Sequence, residues 1–198
     1  MTEDVRAQFF PMPLPAGIIG QWVDRAGAVA AEIQELNRQI FPRAELRLFE
    51  VPSERQPSAQ RLRQIYAPSH PECIVFYDDL RLPIGWFYSY REDATTAFID
   101  TVGFLPACRG RGLYSAFLPK YLAYATALGM ERVTTSHHPN NRAIMIAELK
   151  AGFDIVGLEL HESHGPQIKM AYFMHADRRA GFEQAFSMAP DPTAGIKR

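Results

Sequence analysis

The chain of 198 residues has little of three features that would assign it to a class at once. It holds only two cysteines, Cys73 and Cys108, which excludes a disulfide framework and an all-cysteine zinc site. Its 21 basic residues are balanced by 22 acidic ones, so it lacks the positive excess that general nucleic-acid binding requires. No run approaches the ~20 apolar residues of a membrane helix. We therefore expect neither nucleic acid nor membrane among its partners.

Both ends of the chain are predicted to flank one folded domain, since ~100–200 residues usually form a single domain. We expect a loosely held N-terminal extension over residues 1–16, interrupted by Pro11, Pro13 and Pro15. The domain would cover residues 17–176, and a C-terminal helix with a loose tail would follow over residues 177–198. The N-terminal segment lacks the basic flank and apolar run of a signal peptide, so a cytoplasmic location is expected.

The hydrophobic spacing predicts an α/β fold of the α+β type. Three successive β-like runs favour an antiparallel meander, and helices and strands do not alternate strictly. We therefore expect a mixed, mostly antiparallel central sheet flanked by helices. Helices are predicted over residues 18–40, 58–66, 112–128, 141–151 and 176–186. Strands are predicted over residues 45–51, 72–77, 84–90, 94–104, 132–136, 153–160 and 169–175.

Residues 102–114, with the sequence VGFLPACRGRGLY, are typical of an anion-binding loop between a strand and a helix. Unpaired N–H groups and a partial charge of about +0.5 at a helix N-terminus favour phosphate. Gly110 and Gly112 leave the backbone accessible, and Arg109 and Arg111 add positive charge. The alternative is an ordinary glycine-rich turn with two solvated arginines. Neither G-x-x-x-x-G-K-[ST] nor G-x-G-x-x-G is present, so the two common nucleotide fingerprints do not apply.

This loop resembles the acetyl-CoA-binding motif of the GNAT superfamily of N-acetyltransferases, which reads hydrophobic-x-Pro-x-x-[Arg/Gln]-x-x-Gly-x-[Gly/Ala]. Pro106, Arg109 and Gly112 match its fixed points. Tyr114 stands where the family has a small residue, a departure that affects how closely the helix start can approach a pyrophosphate.

A second resemblance to the same family lies downstream. Asn141, followed eleven residues later by Gly152-Phe153, is similar to the family's Asn…Gly-Phe segment. The two motifs occur in the family's order and cover about residues 94–175. The resemblance implies the GNAT fold, with residues 17–176 as the acetyltransferase domain, and acetyl-CoA as the cofactor.

The resemblance also implies where the cofactor would lie. The pantetheine arm would pair with the strand backbone over residues 102–105, where Gly103 fits the irregularity by which the family separates two parallel strands. The pyrophosphate would lie on the amides of residues 109–114, and Asn141 would contact the pantetheine. The implied cofactor-binding residues are Phe104, Leu105, Arg109, Gly110, Arg111, Gly112, Leu113, Tyr114 and Asn141.

Acetyl transfer from a thioester to an amine needs a neutral amine, a polarised carbonyl and a proton for the departing thiolate. Asp100 is the first candidate for the base, and the alternative is a strand-edge acid with a hydrogen-bond partner. His137 is the second, although it could equally be an ordinary strand exit. Many family members carry a Tyr seven residues after the motif's Asn, near the CoA thiol. Glu148 occupies that position here, so the general acid is unassigned.

The function predicted from this resemblance is acetyl transfer from acetyl-CoA to an amine of a small molecule or peptide by direct attack. The alternative is a CoA-binding protein with a sensing or regulatory role. No metal site is expected, since His161, Glu162 and His164 lack a zinc-motif spacing. The family's acceptor pocket corresponds to residues 18–66 and 153–175, where no charge cluster identifies the acceptor. Pairing of a C-terminal hairpin or edge strand would give a homodimer, which the sequence does not fix.

Overall fold

The computed structural model of the protein describes residues 2–24, 28–42, 52–65, 69–162 and 164–186. The helices of this part are α1 (Thr2–Phe9), α2 (Ala28–Ile40), α3 (Gln56–Ile65), α4 (Leu113–Ala127), α5 (Arg142–Ala151) and α6 (Ala176–Phe186). The strands are β1 (Met12–Pro13), β2 (Ile19–Trp22), β3 (Ser69–Tyr77), β4 (Pro83–Arg91), β5 (Thr96–Phe104), β6 (Arg132–His137), β7 (Asp154–His161) and β8 (Gly165–Phe173).

The eight strands form one sheet in the order β1-β2-β3-β4-β5-β6-β8-β7. β5 and β6 run parallel, and the other neighbouring strands are antiparallel. The parallel pairing joins only residues 96–99 to residues 132–135, although β5 continues to Phe104 and β6 to His137. The predicted mixed, mostly antiparallel sheet is confirmed, and its two parallel strands part before they end.

Helices cover both faces of the sheet, so consecutive residues of β4 are buried. Phe87 belongs to the core cluster that contains the apolar side of α4. Trp86 and Tyr88 belong to a second cluster, with Ile33 and Leu36 of α2. The two layers hold α4 and the C-terminal end of α2 against opposite faces of the sheet, which positions the site described below.

The helix predicted over residues 18–40 is wrong in its first part. Residues 19–22 form β2, which pairs antiparallel with β3, and α2 begins only at Ala28. A spacing of four between Ile18 and Trp22 puts both side chains on one face of a helix, but an even spacing does the same in a strand. The hydrophobic spacing therefore could not distinguish the two structures here.

The expectation of a loosely held N-terminus is also wrong for the residues described. α1 packs against α4, and β1 joins the sheet through pairs with Gly20 and Ile19. Met12 and Leu14 are buried in the cluster that contains α4. Proline is tolerated here because β1 is an edge strand. The division of the chain at residues 17 and 177 stays a prediction.

Several other expectations concern the edges of the described structure. The strand predicted over residues 45–51 and the tail after residue 186 lie outside the described residues. Among the helices of the described ranges, none is long and apolar enough to cross a membrane. β7 forms one edge of the sheet and exposes Leu158 and Leu160. Pairing through this edge stays a prediction.

Candidate active site

A cleft opens where β5 and β6 part. The last parallel pair joins Ile99 to Thr135, and β5 then bends at a bulge. Tyr88 pairs with Thr101 and Ser89 with Ile99, so Asp100 is the extra residue of the bulge. Bulges re-aim side chains and end strand pairing. The Asp100 carboxylate accepts a hydrogen bond from the Thr101 hydroxyl at 2.8 Å and is exposed in the cleft.

The irregularity of β5 was expected at Gly103, and this expectation is wrong. Gly103 keeps its pairing with Trp86. A Cβ on Gly103 would lie 2.4 Å from Cγ2 of Ile40 and 2.7 Å from Cζ of Phe41. The glycine is therefore needed for the end of α2 to pack directly on the strand, and the bulge falls at Asp100 instead.

The loop before α4 presents backbone amides to open space. Gly110 and Gly112 have φ values of +72° and +71°, in the left-handed region that favours glycine. Apart from the glycine itself and its two chain neighbours, no described heavy atom lies within 4 Å of where either Cβ atom would be. In the described part of the chain, the amides of residues 110–115 donate no backbone hydrogen bond. They form a preorganised group of donors at the N-terminus of α4.

The two arginines of the loop differ in availability. Arg109 Nε donates to the Phe104 carbonyl at 3.0 Å, and its Nη2 donates to the Ile40 carbonyl at 2.6 Å. Its guanidinium thus ties the loop to β5 and α2. Its contact with an anion stays a prediction. Arg111 is exposed and has no hydrogen bond or ion pair within the described ranges. Of the two, Arg111 is the cation free to meet a ligand.

The strand backbone next to the loop is partly occupied. The Leu105 amide donates to the Ile84 carbonyl at 2.8 Å, and the Phe104 carbonyl accepts from Arg109. The Phe104 ring is buried and stacks on Phe76 at 4.8 Å between centroids. Phe104 and Leu105 therefore support the loop. The part of β5 whose edge is left unpaired by β6 precedes these two residues in the sequence.

Three cavities follow one another along the separated strands. The first, of about 520 Å³, is lined by the α4 loop, the end of α2 and α5 and is called here the loop cavity. The second, of about 380 Å³, lies between β5 and β6 and is called the central cleft. Both are lined by Val102, Phe41, Ile144 and Asn141. Asn141, predicted as a cofactor contact, therefore lies at their junction.

The third cavity, of about 560 Å³, lies on the other side of the cleft and is called the polar bowl. It shares Asp100, Thr101 and Ser136 with the central cleft. Its other lining residues include the acids Glu92 and Glu159, the aromatics Tyr90 and Phe98, and the residues His161, His164, Gln167 and Lys169.

The charge of the polar bowl is acidic on balance. Its one lysine, Lys169, is paired with Glu159 at 2.7 Å, which leaves the Asp100 and Glu92 carboxylates uncompensated by a cation of the lining. Burial, with the neighbouring carboxylates of Asp100 and Glu92, raises the pKa of Tyr90. The bowl thus disfavours added negative charge and suits a cation.

A buried carboxylate, Glu148, lies behind the cleft. Its side chain on α5 is fully buried. Its Oε1 accepts a hydrogen bond from the Tyr114 hydroxyl at 2.8 Å, and its Oε2 lies 2.8 Å from His137 Nε2. That nitrogen also lies 3.1 Å from the Thr135 hydroxyl. Burial, with the charge and hydrogen bond of Glu148, raises the pKa of Tyr114 well above its ordinary value.

This cluster of Glu148, Tyr114 and His137 was missed by sequence reasoning as a unit. Its members come from α5, α4 and β6, and no sequence spacing joins them. One signal was available, because Glu148 is the seventh residue after Asn141. Tyr114 lines the loop cavity and His137 lines the central cleft, so the carboxylate contacts one group in each.

Comparison with known proteins now decides the family. The model of the acetyltransferase (GNAT) family matches residues 31–153, more than half of the chain. The chain belongs to the GNAT family of acetyltransferases. No curated protein sequence matches it. The GNAT match includes the α4 loop and Asn141, the two segments that carried the resemblance.

Solved structures of other GNAT proteins share its fold at low sequence identity. A spermidine N-acetyltransferase from Vibrio cholerae in complex with CoA and spermine is 14% identical, with a TM-score of 0.57, over 80% of this chain and 96% of that one. A phosphinothricin acetyltransferase from Sinorhizobium meliloti with acetyl-CoA is 20% identical, with a TM-score of 0.57, over 78% and 88%. A putative acetyltransferase from Salmonella typhimurium with acetyl-CoA is 16% identical, with a TM-score of 0.58, over 81% and 95%.

Proposed function

We propose that the protein transfers an acetyl group from acetyl-CoA to the amine of a small cationic molecule. The observation that carries the proposal is that the three cavities adjoin one another. The loop cavity shares four lining residues with the central cleft, and the central cleft shares three with the acidic polar bowl. GNAT homologues bind acetyl-CoA, as two of the structures named above do.

The cofactor is assigned to the loop cavity and the central cleft. The amides of residues 110–115 and the Arg111 guanidinium would hold the pyrophosphate, because both offer donors or charge without a protein partner. The open edge of β5 would pair with the pantetheine arm, and Asn141 would contact it where the two cavities meet. Leu113 and Phe104 would support this site from the core.

The acceptor is assigned to the polar bowl. Asp100 lines both this bowl and the central cleft, so it would lie between an acceptor amine and a thioester. A protonated amine is attracted by Asp100 and Glu92 and contacts the rings of Tyr90 and Phe98. The Vibrio cholerae structure contains spermine, and a polyamine of this kind has the charge that the bowl suits.

The reaction follows from these placements. The protonated amine first loses one proton to water and becomes a neutral nucleophile. Its nitrogen then forms a bond to the acetyl carbon, while the carbonyl π pair moves to oxygen, and the nitrogen gives its second proton to Asp100. When that pair returns, the carbon–sulfur bond breaks and its electron pair stays on sulfur. His137, in the central cleft, is the second proton-transfer group. No covalent enzyme intermediate is formed.

Mass spectrometry of amines after incubation with acetyl-CoA tests the proposal. Polyamines, aminoglycosides and free amino acids should be supplied separately, with CoA release measured in the same samples. We expect an acetylated product that is 42 mass units heavier from at least one cationic amine, with CoA released in equal amount. Binding of acetyl-CoA without any acetylated product would instead favour the sensing or regulatory role.

A further inference from the structure

Glu148 contacts two potential proton donors that face the substrate cavities, while remaining fully buried itself. An ionised carboxylate without partners is costly to bury, so both of its oxygens need donors. Tyr114 and His137 supply one each. A group so enclosed cannot contact a substrate, and any effect on catalysis must pass through one of these two residues.

The contact distances fix the arrangement of the His137 ring. With Glu148 ionised, the short contact to Oε2 requires that Nε2 carry a hydrogen. The Nδ1 atom has no hydrogen bond in the described part of the chain and belongs to a side chain that lines the central cleft. A carboxylate on one nitrogen and a free second nitrogen is the arrangement by which an acid orients a catalytic histidine.

The two donors differ in suitability as acids. The leaving group is an alkyl thiolate, and the related thiol of a cysteine side chain has an ordinary pKa of about 8.5. The pKa of Tyr114 is raised well above 10 by burial and by Glu148, so its proton is held too tightly to be given to that thiolate efficiently. The imidazolium of a histidine is the stronger acid of the two, and it lies in the cleft itself.

We propose that Glu148 is a positioning residue that holds His137 with Nδ1 toward the central cleft, and that His137 so held protonates the departing CoA thiolate. This proposal rests on the acetyl transfer proposed above. It assigns the proton donor for which the residue usual in the family is absent.

The proton balance is complete with these groups and the one proton that the ammonium releases to water before attack. As the carbon–sulfur bond breaks, the electron pair on sulfur takes the proton from Nδ1 of the His137 imidazolium, and CoA leaves as the thiol. His137 becomes neutral and keeps its Nε2 hydrogen toward Glu148. Asp100 holds the proton taken from the amine. Water in the cleft then removes that proton and returns one to His137, which restores the enzyme.

The first test compares kcat in four proteins: wild type, Glu148→Gln, His137→Gln and the double variant. Glu148→Gln keeps the shape of the side chain but removes its charge. We expect kcat to fall about 10- to 100-fold in either single variant, with the KM for acetyl-CoA changed less than about 2-fold. In the His137→Gln background the second change should have less than about a 2-fold effect, because Glu148 acts through His137.

Glu72→Gln is the matched control. Glu72 is also a buried glutamate that accepts a tyrosine hydroxyl at 2.8 Å, from Tyr124, but its other partner is Arg6. We expect this variant to retain kcat within about 2-fold in its folded form. Equal losses of kcat in the Glu72 and Glu148 variants would contradict the proposal, as would an undiminished effect of Glu148→Gln in the absence of His137.

The pH profile gives a reading that a purely structural role would not change. The charged or titratable groups around His137 are Glu148, which contacts it, Tyr114, which contacts Glu148, and Asp100 and His138, which line the central cleft with it. We expect the alkaline decline of kcat to move to lower pH in Glu148→Gln, because a neutral amide stabilises the imidazolium less than a carboxylate. An unchanged profile would contradict the proposal.

A measurement on the wild-type protein covers the case in which Glu148→Gln does not fold. Nitrogen-15 spectra of histidine-labelled protein show which ring nitrogen carries the hydrogen in the neutral form. We expect the Nε2–H tautomer for His137, and the Nδ1–H tautomer would overturn the proposal. A wild type that binds acetyl-CoA but acetylates no amine would instead remove the proposed function, so the two failures are distinguishable.

Discussion

The two ends of α4 each place a tyrosine against a buried glutamate, yet the surroundings differ. At the C-terminal end, Tyr124 donates to Glu72, whose second partner is Arg6 at 2.7 Å. At the N-terminal end, Tyr114 donates to Glu148, whose second partner is His137. The tyrosines lie ten residues apart on one helix, a distance of about 15 Å.

From this difference we expect similar hydrogen bonds to serve stability at one end and, under the proposed function, chemistry at the other. An arginine keeps its charge at every accessible pH, so the Glu72 cluster holds α1, β3 and α4 together permanently. A histidine gains and loses a proton near neutral pH. Tyr114 and His137 also line the cavities, and we propose that His137 exchanges protons with a substrate there.

The largest predicted effect tests whether the Glu72 cluster is only structural. Arg6→Met leaves Glu72, which is 6% exposed, without its positively charged partner. It also removes the guanidinium that lies 4.0 Å from the centre of the Trp22 ring. We expect the free energy of unfolding to fall by about 3 kcal/mol. Urea unfolding measures the loss. The affinity for acetyl-CoA and kcat of the folded fraction should be unchanged, and a fall in either would contradict the division of roles.

The second prediction concerns Asp100, which lies across the cleft from the Glu148 cluster. Asp100→Asn removes the proposed base but preserves the size of the side chain. We expect kcat to fall about 100-fold, while the acetyl-CoA dissociation constant changes less than about 2-fold. Steady-state kinetics and calorimetry measure the two quantities. Normal turnover would exclude Asp100 as the base and leave His137 as the one cleft residue proposed for proton transfer.

The third prediction compares glycines at the two ends of α4. Gly112→Asp puts a carboxylate among the free amides, whereas Gly129→Asp puts one at the opposite end, at a similar positive φ of +81° and also in open space. Both carry backbone strain of about 1–2 kcal/mol. We expect at least about a 10-fold loss of acetyl-CoA affinity from Gly112→Asp alone, through repulsion of the pyrophosphate. Equal affinities in calorimetry would contradict the loop assignment.

The smallest predicted effect concerns the tyrosine that each of the two clusters contains. Burial and the adjacent glutamate raise the pKa of both Tyr114 and Tyr124 above the ordinary value. Because the folded pKa exceeds the unfolded one of about 10, this stabilisation is complete below pH 10 and declines as the pH rises above it. Tyr114→Phe and Tyr124→Phe should each lose about 1–2 kcal/mol at pH 8 and less at pH 11 in urea unfolding. A gap that widened at pH 11 would contradict the sign.

Much of the fold could be predicted from the sequence, because in each segment after residue 69 the hydrophobic residues recur with the spacing of either a helix or a strand. The three strands between residues 69 and 104, the helices after Gly112 and Asn141, and the last hairpin were all found near their observed bounds. The prediction for the N-terminal part was wrong for two reasons. An even hydrophobic spacing fits both a helix and a strand, and the prolines were taken to indicate a loosely held segment. Met12 and Leu14 are buried in a core cluster that includes side chains of α4, about a hundred residues away in sequence.

Only the part of the site that is formed by residues close together in the sequence could be predicted. Gly110 and Gly112 fall in one loop, and their positive φ values are ones that glycine adopts without strain. The role of Arg109 could not be predicted, because its acceptors on Phe104 and Ile40 lie 5 and 69 residues away. Glu148 could be located by its offset from Asn141. Its contact with Tyr114, 34 residues away, depends on how α4 and α5 pack.

The most direct test of the central claim is the melting temperature of the wild-type protein with and without acetyl-CoA. A ligand at 100 times its dissociation constant adds about 2.7 kcal/mol to the free energy of unfolding. For a chain of this length, that corresponds to a rise of roughly 5–11 °C in Tm. We predict such a rise with acetyl-CoA at millimolar concentration, and a smaller one in Gly112→Asp. No rise with acetyl-CoA or CoA in the wild type would contradict the assignment of the loop cavity and, with it, the proposed acetyl transfer.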